Sequence, residues 1–227
     1  MRGIGQNSLE KRPNFDKIAT MIIQYFGKQF FKISQGDFTV AVNPISKDSK
    51  EFNKAKFGSN AVLITTNHPD FNGVDSATFG ETEPFLINGP GEYEVGDMYV
   101  QGFESKAEID KKEFINTIYL ITLDDIKIVF VGALSSKDSV PKSFVEAVDE
   151  PDLFFVPVGG KSTIDAGTAQ KLANSFNAKM VVPMDYDKDS LKLFLKEAGA
   201  EGTKAIDKLT IKKKDFVGKT GEVVIFE

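Results

Sequence analysis

Cysteine and tryptophan are absent from the 227 residues, and histidine occurs once, at position 68. Without cysteine there is no disulfide framework, thiolate nucleophile, zinc ribbon or iron–sulfur ligation, and a reducing compartment fits best. One histidine leaves room for a Ser-His-Asp triad but excludes a His-rich, multinuclear zinc site by counting. No apolar run approaches the roughly 18–20 residues of a membrane span, and residues 1–20 lack the apolar stretch of about 7–15 residues of a secretory signal. The 28 basic and 33 acidic side chains give a formal charge of −5, which disfavours phosphate backbones and anionic lipid. These absences predict a cytoplasmic protein with neither nucleic acid nor membrane as a partner.

What remains is an ordinary globular composition, 41% hydrophobic and 27% charged, long enough to bury a large core in one domain. Residues 1–20 mix Gly, Asn, Pro and charge without periodicity. They read as an extension, disordered, left from cloning, or a docking tail, ahead of a domain spanning 21–227. Strand-like runs follow at 21–25, 30–33, 38–42, 61–65, 85–87, 93–95, 98–103, 117–123 and 127–131. Asp124-Asp125 and Gly96-Asp97 mark hairpin turns between neighbours.

The second half alternates apolar strands, 153–158 and 180–183, with helical patterns, as where helices cover a sheet. Ala166, Ala169, Leu172, Ala173 and Phe176 form one helical stripe, with Thr163 as the expected cap. Leu191, Phe194, Leu195 and Ala198 form a second, ended by Gly199, and a short helix is expected over 141–148. Strands at 208–212 and 223–226 close the chain. Lys212-Lys213-Lys214 reads as a charged edge strand.

The segment Ala61–Asn72, AVLITTNHPDFN, runs from a buried-type strand into a polar loop carrying His68, Pro69 and Asp70. Here, and at Tyr25-Phe26-Gly27, Asn43-Pro44, GPGEYE (89–94), PVGG (157–160) with Thr163-Ile164-Asp165-Ala166, and Val182-Pro183-Met184, the chain resembles the metallo-β-lactamase superfamily. It is most similar to small bacterial metal-dependent hydrolases of the L-ascorbate-6-phosphate lactonase type. The resemblance implies an α/β (α+β) fold, a four-layer αββα sandwich of two mixed β-sheets. It places Thr66, Asn67, Phe71, Ala133, Gly159 and Gly160 around one pocket at the edge of that sandwich.

The same comparison shows where the chain departs. Laid on the family's His-x-His-x-Asp-His loop, His68 and Asp70 are kept, but Thr66 and Phe71 replace the outer histidines. The histidine expected near Phe103–Lys106 is absent, Ala133 replaces the bridging aspartate, and Asp185 replaces the final histidine. Lys28 follows Gly27 where the family has Gly-His. His68, Asp70 and Asp185 would make at best a vestigial or weak site, a hard donor set suited to Mg, Mn or weakly held Zn. An ammonium from Lys28 or Lys106 turned inward would repel a cation and make the pocket favour anions.

Plainer readings stand beside these. His68-Pro69-Asp70 can be a capped turn, with Asp70 bonding the backbone two residues on, and Asp185 a solvated loop acid. Gly89, Gly91, Gly159 and Gly160 read as turn positions with positive φ. No serine has a paired base, so no catalytic residue is assigned. The leading expectation is a non-catalytic binding, regulatory or assembly protein without a cofactor, acting on an unidentified protein or small molecule and capable of self-association. The alternative is a metal-dependent hydrolase of lactones, esters or phosphoesters with one weakly held divalent ion, Zn, Mn or Fe.

Overall fold

Alternation along the strands lets two sheets share one core. The computed structural model describes residues 20–81 and 83–227, so the expectation for the extension lies outside the described residues except at Thr20. The first sheet contains β1 (Met21–Tyr25), β2 (Phe31–Gln35), β3 (Phe38–Val42), β4 (Ala61–Leu63), β5 (Phe85–Ile87) and β12 (Lys208–Ile211). The second contains β6 (Gly91–Val95), β7 (Met98–Ile109), β8 (Lys112–Leu123), β9 (Ile126–Phe130), β10 (Leu153–Pro157), β11 (Met180–Met184) and β13 (Glu222–Val223). Their orders are β12-β1-β2-β3-β4-β5 and β13-β11-β10-β9-β8-β7-β6. Both sheets are mixed: β3, β4 and β5 run parallel, as do β9, β10, β11 and β13, and the other pairs are antiparallel.

Successive side chains of a strand point to opposite faces, so each strand supplies two layers. Met21, Ile23, Phe31, Ile33, Val40 and Val42 of the first sheet meet Val100, Tyr119, Ile121, Phe130, Phe155 and Val182 of the second in one buried core. The alternate residues of the second sheet, among them Ile118, Val129, Phe154 and Val181, pack under α1 (Lys142–Ala147), α2 (Ala166–Ser175) and α3 (Lys188–Glu197). On the first sheet, Ala41 and Val62 are covered by Phe26, Phe30, Ile45, Ala55, Phe57 and Val74. The expected sandwich is therefore present, but among the described residues the layer over the first sheet is irregular chain with a short 3-10 turn at Val74–Ala77. No helix among the described residues is long and apolar enough to cross a membrane.

Boundaries differ from expectation where local chemistry overrides pattern. β7 and β8 continue to a turn at Asp110-Lys111, both with positive φ, because the inward positions there are the small residues Ser105 and Ala107 and the outward ones are charged. The hairpin turn at Asp124-Asp125 is as expected, with φ of 51° and 60°. Asp165, not Thr163, caps α2 by accepting from the Thr168 N–H at 2.9 Å. The expected final strand shrinks to β13 and an isolated bridge between Ile206 and Phe226.

The three lysines after β12 are not an edge strand. Lys213 begins a 3-10 turn and sends its ammonium to Asp152, 2.6 Å away, and Lys179 reaches the other oxygen at 2.7 Å. The Lys127 N–H adds a third donor at 2.8 Å, and the Asp152 side chain is 1% exposed. Burial pushes the Asp152 carboxyl up, but these donors outweigh it and hold the group below its ordinary range. Because the folded pKa is depressed, this contribution is complete above the unfolded value near about 3.9 and fades as pH falls through the folded one. Asp152→Asn is expected to cost about 3 kcal/mol at pH 7, with the gap to wild type closing below about pH 4, as measured by urea unfolding across pH.

Candidate functional site

Two loops meet at one end of the sandwich through their backbones. Tyr25 ends β1 and the chain turns sharply through Gly27, at φ 93°, so that the Phe26 N–H reaches the Phe30 carbonyl at 2.8 Å. Lys28, at φ 54°, offers its carbonyl to the Asp185 N–H at 2.8 Å and to the Tyr25 hydroxyl at 2.9 Å. Asp185, just past β11, is itself left-handed at φ 53°. Gly159 closes the third side: a Cβ there would lie 2.4 Å from the Asp185 carbonyl oxygen, so only glycine fits. Of the expected positive-φ glycines, Gly91 and Gly160 have it; Gly159 is needed for this close approach instead.

Asp185 is not a solvated loop acid. Its side chain is 15% exposed, Oδ1 faces Lys28 Nζ at 3.2 Å, and Oδ2 accepts from Gln29 Nε2 at 3.0 Å. Gln29 is held in turn by buried Asn43, whose Nδ2 donates to Gln29 Oε1 at 3.0 Å and to Thr65 Oγ1 at 2.8 Å. Asn43 Oδ1 accepts from the Thr65 N–H at 2.8 Å. Lys28 Nζ also lies 3.7 Å from Asp70 Oδ2. Burial lowers the Lys28 pKa, but Asp185 foremost, with Asp70 and Glu51, more than offsets this and sets it above the ordinary lysine value. Lys106 points away, paired with Glu113 at 3.0 Å on the exposed side of the β7–β8 hairpin.

The loop after β4 is a tight turn, as the plainer reading has it, but built differently. The His68 N–H donates to Thr66 O and the Phe71 N–H to His68 O, both at 2.8 Å. The Asp70 side chain does not cap the backbone; its Oδ1 accepts from the Ser49 hydroxyl, while its N–H reaches His68 Nδ1 at 3.3 Å. The His68 ring stands edge-on to Phe114, centroids 5.6 Å apart.

The other positions that the resemblance aligns with metal ligands, Thr66, Phe71 and Ala133, are buried in packing. Phe71 and Ala133 are buried together with Ala107, flanked by Ile109 and Phe114. Thr66 is buried and donates to Asn116 Oδ1 at 3.0 Å. Asn116 is a hub missed as a functional position from sequence: Oδ1 also accepts from the Ala133 N–H at 2.9 Å, and Nδ2 donates to Ser105 Oγ at 2.7 Å and Val131 O at 3.0 Å. Gly132, at φ 71°, passes so near that a Cβ would sit 2.4 Å from Asn116 Oδ1.

A cavity of about 340 Å³ opens beside this cluster, lined by Lys28, Glu51, Gly159, Ser162, Thr163, Asp185, Tyr186 and the Lys161–Asp187 pair. Of the six residues expected around the pocket, Gly159 lines it and Gly160 follows in the same turn. Thr66, Phe71 and Ala133 are buried in packing, and Asn67 is exposed, accepting from Asn72 at 2.8 Å. The expected anion preference does not follow. Lys28 is matched by two carboxylates, and the lining sets two cations against three acids.

The residues present do not fit a metal centre. Both Asp185 oxygens and one of Asp70 accept hydrogen bonds, the other Asp70 oxygen faces an ammonium, and His68 Nδ1 is taken. Among the described residues no group of three or more His, Cys, Asp or Glu side chains is arranged to hold a metal ion. Catalytic zinc needs about three protein ligands and an open position.

Comparison with known proteins gives the class. The family description "Beta-lactamase superfamily domain" matches residues 22–185. The chain belongs to this superfamily, in its metallo-β-lactamase form. It is 23% identical over 197 residues to a UPF0173 metal-dependent hydrolase of Listeria monocytogenes, covering 74% of this chain and 86% of that protein. Its fold matches a crystal structure described as a Zn-dependent hydrolase of the metallo-β-lactamase superfamily from Thermotoga maritima, with a TM-score of 0.68, 23% identity, and coverage of 91% of this chain and 98% of that one. A metallo hydrolase from the archaeon Ignicoccus hospitalis gives a TM-score of 0.60 at 20% identity, over 85% and 99% of the two chains.

Asn116→Ala would strand the buried Ala133 N–H, the Val131 carbonyl and the Thr66 hydroxyl at once, while Ser105 keeps its bond to the main-chain carbonyl at 116. It is expected to lower stability by about 3 kcal/mol, read from the urea midpoint with an unchanged slope.

Proposed function

We propose that this chain is a member of its superfamily that does not hydrolyse through a metal centre and instead binds a small polar molecule in the 340 Å³ cavity, as a cytoplasmic binding or regulatory component. The observation that carries this reading is the apolar plug. Phe71, Ala107 and Ala133 are each at most 2% exposed and pack together, with apolar side chains taking the space at positions 71 and 133, where the family resemblance expects metal ligands. Restoring that space means cutting into packed core, not turning a rotamer. The lining residues Ser162 and Thr163 and the nearly balanced charge suit an uncharged or zwitterionic ligand better than a phosphate ester.

A second reading is favoured by the relatives, which are named metal-dependent hydrolases. In it, His68, Asp70 and Asp185 rearrange to hold one divalent ion, and the chain hydrolyses a lactone, ester or phosphoester. The two readings part in one experiment. The purified chain is incubated with zinc, manganese or iron, freed of excess ion, analysed by plasma mass spectrometry, and assayed with bis(4-nitrophenyl) phosphate and a simple lactone. Substoichiometric metal and no turnover above the metal-only blank are expected; near-stoichiometric metal and turnover, both lost in His68→Ala, would overturn the proposal.

A further inference from the structure

We infer that the Lys28 ammonium is the resident cation of this site, a tethered charge that occupies the space between Asp70 and Asp185 and keeps divalent ions out of it. The inference deepens the metal-free reading above and rests on it. Lys28 Nζ lies 3.2 Å from Asp185 Oδ1 and 3.7 Å from Asp70 Oδ2, and His68 Nδ1 lies 3.7 Å from that same Asp70 oxygen. The two carboxylates both face the ammonium, with the imidazole beside Asp70. A bound zinc would need oxygens at about 2.0–2.2 Å, so it and Nζ would claim the same volume with the same sign of charge.

The tether gives the ammonium its advantage. The Lys28 backbone is pinned by the Asp185 N–H at 2.8 Å and the Tyr25 hydroxyl at 2.9 Å, within a turn closed by two further main-chain bonds between Phe26, Gly27 and Phe30. A charge delivered from a fixed backbone forfeits little further freedom, whereas a free ion must be taken from dilute solution. Gln29 complements the arrangement from the neighbouring position by donating to the oxygen of Asp185 that Lys28 leaves open. Consecutive residues of one turn thus saturate a carboxylate that would otherwise be a ligand. Lys106, the other lysine near a former ligand position, is paired on the outer surface and takes no part.

Removing the ammonium should therefore create a cation site. Lys28→Gly is the informative variant, because glycine adopts the left-handed backbone without steric cost, and Lys28→Arg keeps a charge at the same place. Full-length wild type and both variants are incubated with Mn²⁺ or Zn²⁺, desalted, analysed for metal, and melted with and without the ion. Lys28→Gly is expected to retain near-stoichiometric metal. Its Tm should rise by roughly 5–10 °C at an ion concentration about a hundredfold above Kd, whereas wild type and Lys28→Arg gain neither. Adding Asp185→Asn to Lys28→Gly should abolish the gain. Near-stoichiometric metal on wild type would overturn the metal-free reading itself. A folded Lys28→Gly that, like wild type, takes up no ion would overturn the tethered-cation inference alone. Should Lys28→Gly fail to fold, Lys28→Asn, whose side chain also tolerates the left-handed region, decides by the same two measurements.

Discussion

A carboxylate taken out of water must be given partners, and the arrangement of this site follows from how Asp185 obtains them. Its backbone N–H docks on the Lys28 carbonyl, and its oxygens receive Lys28 Nζ and Gln29 Nε2. That single residue ties the β1–β2 turn of the first sheet to the end of β11 in the second. The constraint propagates: Asn43 Nδ2 holds the carbonyl oxygen of Gln29, and Thr65 in turn fixes Asn43. Gly159 has no freedom to be another residue because the Asp185 carbonyl lies against it. Both Lys28 and Asp185 accept a left-handed backbone, a cost that persists only where surrounding contacts over-determine the geometry.

The site divides into halves held together by different physics. On the side of Phe71, Ala107 and Ala133 the chain is apolar core, stabilised by burial of a phenyl ring. On the side of Asp70 and Asp185, the carboxylates remain and a lysine supplies the opposite charge. Two carboxylates facing each other without a cation would repel, and a lysine facing an intact set of imidazoles would have no charge to match. Asn116 joins the halves, spending all four of its hydrogen-bonding capacities on Thr66, Ala133, Ser105 and Val131 and leaving none for a ligand.

The strand order and the helices were legible from sequence because alternating and helical apolar patterns survive in most elements, and GPGEYE and PVGG carried the family. The outer half of the β7–β8 hairpin was not, since its inward residues are Ser105 and Ala107 and no apolar period marks it. His68, Asp70 and Asp185 stand out together in the sequence; the structure sets Asp70 and Asp185 on either side of Lys28 and His68 beside Asp70, without arranging the three as a metal-binding group among the described residues. Nothing in one sequence distinguishes Lys28 from Lys106 as the inward side chain. The difference is set by strand parity, which turns Lys106 outward between buried Ser105 and Ala107, and by the left-handed turn that aims Lys28 at the second sheet. Gln29 and Asn43 carried no signal beyond polarity, because their roles exist only once two distant loops have met.

The charge of the cavity closes the argument about what such a site can select. An ammonium already neutralised by Asp185 and Asp70 offers little to an anion, and Lys161 is committed to Asp187 at the rim. On the proposed binding role, selection falls to polar groups around Gly159, Ser162 and Thr163, which discriminate by hydrogen-bond geometry rather than by field. A metallohydrolase pocket works differently, since its ion polarises whatever oxygen enters. In this chain an ammonium between Asp70 and Asp185 keeps the wall of the pocket in place and the loops docked. The end of the sandwich is therefore shaped at the level of individual residues: glycines, asparagines and main-chain bonds hold its loops through protein partners.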